Sequence, residues 1–428
     1  MTELPARVEE LASSVPRRPA VVSPDTTIGY AELALRARRR ADEWRTDGRR
    51  VLIADCPVEV AVSVVAAATT GVGLLLLDAG GRPPEHERAR DIFRAAPPTA
   101  SPGLGLTTSG VSGKPKCVER PWPEVAANAA AYAGTLSLEP GEVMLCTTPP
   151  HHSYAACGGV ISALMAGATY VGTARRTGPK ALAAALDEHR VDVLCSVPLL
   201  YQWYATGLST HGTPRLCVSA GTPLTPEHRT AWERGVGWRL VEHYGASEYG
   251  MLTTDTEGRP GSVGRAVPGI GLWLEPGQAG DEVVVRTSGR PARLLAEDGH
   301  AELLEGPQHT GDLGALDAQG RLTLLGRVGS VINIAGNKVS TSEVEAVVRR
   351  YPPVRDCALV GDTSTPGATR LCLFVETSAA FDRRELMDHL ASSLAPYKVP
   401  QAVYTTENLP RSAAGKVLRS ELLRALQS

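Results

Sequence analysis

Short runs made mostly of apolar residues recur at 51–53, 72–77, 143–147, 169–172, 193–197, 216–219 and 240–244. A strand with one wet face would alternate, so runs this continuous predict strands buried on both faces. Between them lie Ala-rich segments with helical spacing, such as 122–134 and 179–189. Strands and helices in alternation predict parallel sheets with helices on both sides. The apolar stretch 60–77 approaches the length of a membrane span. It is interrupted by Thr69, Thr70, Gly71 and Gly73 and closed by Asp78. A helix over 58–68, a turn and a buried strand over 72–77 fit better. No membrane span is therefore expected.

From about Gly261 the pattern shortens. Residues 281–286 alternate, and 313–325 read as a hairpin turning through Asp317-Ala318-Gln319-Gly320. After Arg327 it changes again. Ser342-Glu343-Val344-Glu345 has the form of a capping box opening a helix. Strands near 358–360 and 371–376, a helix over 383–394 and a last helix from Lys416 complete a small α+β unit. The predicted class is α/β. A large N-terminal domain, 1–328, holds parallel-rich sheets covered by helices plus a small β-barrel-like part. A small C-terminal α+β domain, 329–428, follows.

Hydrophobic residues make up 43% and charged residues 21% of the 428, as in ordinary soluble proteins. The net charge of −2 gives no general attraction to nucleic acid, and the run Arg36 to Arg40 falls in an Ala/Leu-rich helical pattern as a solvated face. Eight cysteines show neither CxxC pairs nor metal-type spacing and sit mostly in apolar runs, which predicts buried free thiols in a reducing compartment. With an acidic, polar beginning rather than a secretory signal, a cytoplasmic location is expected. Monomer and homodimer both remain open.

Only six of the 44 basic residues are Lys. Five of these, Lys114, Lys116, Lys338, Lys398 and Lys416, lie in short Gly-, Ser- or Pro-containing stretches. Lys is a compact charge on a flexible stem, so its retention in an Arg-rich chain suggests sites that need a mobile ammonium. The densest is Thr107-Thr108-Ser109-Gly110-Val111-Ser112-Gly113-Lys114-Pro115-Lys116, where four hydroxyls, two glycines and two lysines make a phosphate-cradling composition. Pro115 after Gly113-Lys114 excludes the common P-loop. Taken alone, the segment also fits a flexible surface turn.

Four further segments follow in order: His243-Tyr244-Gly245-Ala246-Ser247-Glu248, Thr310-Gly311-Asp312, Gly326-Arg327-Val328-Gly329 running on through Gly336 to Glu345, and Pro410 to Lys416. With the Gly-hydroxyl loop, they make the sequence resemble the acyl-activating, adenylate-forming superfamily. That superfamily includes acyl-CoA synthetases, adenylation domains of peptide synthetases and firefly luciferase. The resemblance covers nearly the whole chain. Val111 and Cys117 depart from the usual Thr and Gly, Ser247 replaces Thr, and Gly329 stands where relatives often carry Asp or Lys.

The resemblance implies two half-reactions. ATP and a carboxylic acid give an acyl-adenylate and pyrophosphate, and a thiol then displaces AMP. Thr108, Ser109, Gly110, Ser112, Gly113 and Lys116 would hold the β- and γ-phosphates. Glu248 would ligate Mg²⁺, Ser247 would bond the α-phosphate beside Gly245, and Tyr244 would stack on adenine, a buried core Tyr being the alternative. Glu242, where relatives often carry Asn, would accept from the adenine amino group. Asp312 would take the ribose hydroxyls with Arg327 beside it. Lys416 would be catalytic, an ammonium offsetting repulsion between carboxylate and α-phosphate. Gly329 would be the hinge on which the small domain turns.

Pro149-Pro150-His151-His152-Ser153-Tyr154 resembles the segment that places a His near the acyl and thiol channels, with His152 the better match. Ser153, Tyr154, Ala220, Gly221, Thr222 and Ala246 would line the acid pocket, and Gly221 would also border the nucleotide. Amino-acid-activating relatives usually carry an Asp in the His152 region to pair the substrate ammonium. None occurs in this segment, which favours a non-amino acid, aryl or short acyl. No basic cluster marks a site for the CoA nucleotide, so CoA and a phosphopantetheinyl carrier protein (acyl or peptidyl) are both candidate acceptors. Three other classes compete: transfer to an amine or other non-thiol nucleophile, an amino-acid-activating adenylation enzyme, and a nucleotide-binding protein without catalysis.

Overall fold

Strand Gly73–Leu77 is buried at all five positions, as a parallel strand covered on both faces requires. It belongs to a six-stranded sheet ordered Ala301–Leu303, Arg293–Leu295, Pro115–Pro121, Gly103–Ser109, Gly73–Leu77, Arg49–Ile53. The computed structural model describes residues 3–44, 48–81, 83–109, 115–174, 177–277, 279–334, 337–362, 364, 369–377, 381–411 and 417–427.

A second, nine-stranded sheet is ordered Arg265–Ala266, Gly250–Thr254, Leu240–Ala246, Leu216–Ser219, Val193–Ser196, Val143–Cys146, Thr169–Gly172, Pro19–Val22, Thr27–Gly29. The strands from Leu240–Ala246 through Pro19–Val22 pair in parallel, and antiparallel strands close both edges. The main core joins the sheets through helices Pro57–Thr70, Trp122–Thr135 and Tyr154–Ile161. Helix Pro57–Thr70 is apolar nearly all round and is buried nearly all round. It stops at Gly71, whose φ of 71° is left-handed and whose N–H bonds the Ala67 carbonyl at 2.8 Å. The apolar stretch that suggested a membrane span is thus a helix, a glycine cap and a strand. Among the described residues no helix is long and apolar enough to cross a membrane.

Beyond Gly264, which bridges to Leu322, comes a four-stranded antiparallel sheet, Ile270–Pro276, Asp281–Thr287, Gln308–Leu316 and Leu322–Arg327, in the place expected for the barrel-like part. A single 3-10 turn, Val328–Ser330, leads into the hairpin Val331–Ile334/Asn337–Ser340. A three-stranded sheet follows, Val354–Asp362, Arg370–Thr377 and Ala402–Thr406. Helices Thr341–Arg349 and Arg383–Ser393 pack on one face through Val344, Val348, Leu386 and Leu390, and Arg419–Gln427 packs on the other through Leu422.

Two details correct the sequence reading. The capping residue of helix Thr341–Arg349 is Ser340, not Ser342: its backbone is extended and its hydroxyl accepts from the Glu343 N–H. Glu345 cannot reach back to a cap because it is buried and accepts from the Leu359 N–H and from Arg419. The last described helix begins at Arg419 rather than Lys416.

Seven of the eight cysteines are buried and all eight are free. Burial pushes the thiols of Cys146 and Cys157 up to about 11 and those of Cys117 and Cys357 up to about 12.

Candidate functional site

Parallel neighbours Val143–Cys146, Val193–Ser196 and Leu216–Ser219 end nearly level, opposite Glu242 of Leu240–Ala246, which runs on past them, so the segments after them converge on one edge of the sheet. Such an edge is where open α/β sheets bind ligands. A buried polar row crosses it. Thr147 Oγ1 and Ser196 Oγ lie 2.6 Å apart, Ser196 pairs with Ser219, and Ser219 pairs with Glu242.

Tyr244 and Glu242 share one face of their strand, two residues apart. The Tyr244 hydroxyl donates to Asp312 Oδ2 at 2.7 Å, and Arg327 Nε donates to Asp312 Oδ1 at 2.7 Å. Three residues separated widely in sequence, singled out for the adenosine, therefore meet at one carboxylate. Asp312 is placed by its own turn: the Thr310 hydroxyl donates to the Val283 carbonyl and accepts from the Asp312 N–H, while the left-handed Gly311 gives its N–H to Glu282. The hydrogen bond to Asp312 raises the Arg327 pKa, opposed by burial and reinforced by the charges of Asp312, Tyr244 and Glu248. Burial, then the Asp312 charge, keeps Tyr244 protonated.

Glu248 stands at the tip of the hairpin formed by Leu240–Ala246 and Gly250–Thr254, in a turn closed by the Tyr249 N–H on the Ala246 carbonyl. Its carboxylate makes no hydrogen bond or ion pair with any described residue. A half-buried, uncommitted carboxylate beside Arg327 fits a hard divalent cation carried in on phosphates. Gly245 is required there, since a Cβ would come within 2.5 Å of the Gly250 carbonyl oxygen.

The same tip touches the histidine segment, with Ser247 Oγ bonded to Ser153 Oγ at 3.3 Å. Ser153 opens the π-helix Tyr154–Ile161, a wide turn often found near functional sites. Tyr154 lies inside the core: it stacks on His243 with ring centroids 5.6 Å apart and donates to the Val218 carbonyl. Burial holds His243 neutral, with its pKa lowered to about 3. His152 is exposed and packs its ring on His151 at 4.5 Å.

Glu242, expected at the adenine amino group, already has protein partners. It is 7% exposed, accepts from Arg229 Nη2 at 2.9 Å and is reached by the Leu224 N–H, so its carboxylate ties down the 219–224 loop. Burial raises its pKa to about 7 in spite of Arg229. In that loop Ala220 is buried, while Gly221, left-handed at φ 89°, and Thr222 are exposed. Lys116 is exposed and pairs with Thr108 across the hairpin that carries the Gly-hydroxyl loop. Gly110, Ser112, Gly113 and Lys416, with the side chains of Thr108 and Ser109, lie outside the described residues. Gly329 lies in the 3-10 turn, without positive φ and with open space where a Cβ would be.

Two residues were missed by sequence. Asp55 and Asp78 follow strands Arg49–Ile53 and Gly73–Leu77 and bring a carboxylate oxygen to 3.9 and 4.0 Å from His151 Nδ1. Among the described residues these three form the one group of three or more His, Cys, Asp or Glu side chains whose ligand atoms all lie within 4.8 Å of one another. Their only sequence signal was position, at the ends of two buried parallel strands.

Residues 106–289 match the family AMP-binding enzyme, and residues 343–416 match the AMP-binding enzyme C-terminal domain. Among characterised proteins, the chain is 27% identical over 344 residues to the human mitochondrial acyl-coenzyme A synthetase ACSM3, covering 74% of this chain and 59% of that one. It is 31% identical over 348 residues to triostin synthetase I of Streptomyces triostinicus, covering 76% and 65% respectively. The chain thus spans about three fifths of the length of the relatives it matches. In fold it is similar to ATP-bound MatB from Rhodopseudomonas palustris, with a TM-score of 0.83, 21% identity and 99% of each chain covered. It is equally similar to o-succinylbenzoate CoA synthetase from Bacillus subtilis bound to its acyl-adenylate, with a TM-score of 0.83, 20% identity and 97% of each chain covered.

Proposed function

Because this chain belongs to the family of AMP-binding enzymes, we propose that it activates a carboxylic acid with ATP and passes the acyl group to a thiol. In the first half-reaction a carboxylate oxygen bonds to the α-phosphorus and pyrophosphate leaves. In the second a thiol bonds to the acyl carbon and AMP leaves. The acceptor thiol belongs to CoA or to the phosphopantetheine of a carrier protein, and the acid is aryl or short acyl without an amino group. The observation that carries this reading is the meeting of Tyr244, Asp312 and Arg327 beside the hairpin tip of Ser247 and Glu248.

Each residue then has a task set by its chemistry. Asp312 accepts from the ribose hydroxyls through lone pairs left by Tyr244 and Arg327. Tyr244 offers its ring to the adenine. Ser247, already bonded to Ser153, donates to the α-phosphate at the junction of the nucleotide and acid regions. Glu248 is the residue that would hold Mg²⁺ arriving with ATP, and the ion would supply positive charge against the phosphates. Thr108, Ser109, Gly110, Ser112, Gly113 and Lys116 clamp the outer phosphates, which opposes repulsion as the carboxylate approaches. Lys416 brings an ammonium to the reacting oxygens, and residues 329–428 move about Gly329 to exchange it for the thiol. His152, exposed beside the tip, faces the acyl carbon and incoming thiol. The buried thiols suit a reducing compartment such as the cytoplasm.

The test is acid-dependent ATP–pyrophosphate exchange over aryl, aliphatic and amino acids, followed by thioester formation with CoA or a carrier protein. Exchange with an acid of the first two groups and thioester formation are expected; no exchange with any acid would overturn the reading. One observation favours a second reading. Asp55 and Asp78 stand beside His151, so carboxylates are within reach of this region although its own segment lacks them. Exchange confined to acids that carry an ammonium group would establish that alternative.

A further inference from the structure

Strand Pro115–Pro121 is the second arm of the hairpin that carries the Gly-hydroxyl loop. Near its end Arg120 is wholly buried, with a guanidinium donating through Nε and Nη2 to both oxygens of Glu124 at 2.9 and 2.8 Å. Glu124 and Asn128 are one turn apart on helix Trp122–Thr135, so they share a face. Arg120 Nη2 also donates to Asn128 Oδ1 at 3.2 Å. That contact fixes which way the amide points, because the flipped amide would turn its NH₂ toward a cation. Asn128 then engages one residue twice: Oδ1 accepts from the Met251 N–H at 2.9 Å and Nδ2 donates to the Met251 carbonyl at 3.0 Å. A side-chain amide here does the work of a neighbouring strand.

Met251 lies three residues after Glu248 and pairs with Gly245 in the hairpin whose tip is 246–249. Between them Gly250 is left-handed at φ 82°, and a Cβ there would lie 2.2 Å from Asn128 Oδ1 and 2.3 Å from Arg120 Nη2. The clamp therefore presses directly on the backbone of the turn. Glu124, Glu248 and Tyr249 also share the walls of one small cavity. A buried ion pair is weak evidence for stability as such, since apolar replacement is often neutral. Its value here is directional: it orients one amide, which holds one strand end.

We propose that Arg120, Glu124 and Asn128 are positioning residues that lock the phosphate-loop hairpin to the Glu248 turn and thereby set the protein's affinity for metal-bound ATP. This rests on the functional reading of Glu248 given above. Groups that orient a metal ligand without touching the metal affect affinity by about 10- to 100-fold. Asn128→Ala should therefore raise the Mn²⁺ concentration for half-saturation, measured by calorimetry or electron paramagnetic resonance at fixed ATP, by about tenfold or more.

Binding of ATP without metal should change little. Ser162→Ala is the control. It removes a buried hydroxyl that donates to the Ala129 carbonyl of helix Trp122–Thr135 and makes no hydrogen bond to Met251. It should lower Tm and leave the Mn²⁺ response as in wild type. If Asn128→Ala is insoluble, Asn128→Ser is used and should shift the response in the same direction. A folded Asn128 variant whose half-saturation stays within about twofold of wild type, against the tenfold expected, overturns the proposal. The functional reading fails separately, if wild type shows no acid-dependent exchange, and the Mn²⁺ titration still decides the clamp.

Discussion

Tyr244 and Asp312 are joined by a hydrogen bond of 2.7 Å that ties the last parallel strand of the nine-stranded sheet to the antiparallel sheet beyond it. The carboxylate is the hub, since Arg327 takes its other oxygen.

This arrangement separates two substitutions. Asp312→Asn removes the charge that both partners use, and hydrogen bonds to a charged group are worth about 1.5–3 kcal/mol. ATP affinity should fall by about ten- to a hundredfold. Tyr244→Phe keeps the ring and the Asp312 charge and removes a bond within the protein rather than one to ATP, so the fall should be under about tenfold. Calorimetric titration with ATP checks both, and equal losses would contradict a hub at Asp312.

Lys416→Ala should depress adenylate formation by at least about a hundredfold, the scale of a lost transition-state donor. Turnover of a supplied acyl-adenylate with thiol should remain near wild type. Single-turnover assays of each half-reaction decide it; parallel loss in both would remove Lys416 from its assigned step.

The turn at Gly329 gives a third expectation. With ordinary φ and open space around the missing Cβ, Gly329→Ala should leave Tm and adenylation unchanged. Gly329→Pro fixes φ near −65° and should block thioester formation while sparing adenylation. Unimpaired thioester formation in the proline variant would show that the chain does not turn there.

Neighbours Glu242 and His243 predict opposite responses to pH. Glu242 is raised to about 7, so its contribution to stability is full below the ordinary carboxyl range, near 4.5, and is lost as pH rises through 7. His243 is lowered to about 3, so its contribution is full above 6.5 and is lost as pH falls toward 3. Between 4.5 and 6.5 the two slopes, each at most about 1.4 kcal/mol per pH unit, oppose one another. Glu242→Gln should make stability fall more steeply on acidification over that window, and His243→Phe should make it fall less or rise. Urea unfolding at stepped pH checks the signs.

The parallel strands were legible because burial on both faces leaves no alternation, as at Gly73–Leu77, where prediction and structure differ by one residue. Tyr244, Asp312, Arg327, Ser247 and Ser153 were named from motifs, and the fold joins them by three hydrogen bonds. What the sequence hid is what depends on the other end of a contact. Glu242 was read only for adenine, and its bond from Arg229, on a separate helix, left no sign in the sequence. Ser342 looked like a cap because the pattern cannot show that Ser340 already has extended backbone. Glu124 and Asn128 did leave a trace, two polar residues one turn apart in an otherwise largely apolar helix, but Met251, the partner of Asn128, lies 123 positions beyond it.

The buried cysteines have a practical corollary. A thiolate forms only reluctantly in an apolar interior, and seven of these eight sulfurs are enclosed. Reagents that titrate sulfhydryls in the native state should therefore register the acceptor's thiol with little background from the polypeptide. Consumption of that thiol can be followed continuously, by colour, without mutating a single cysteine.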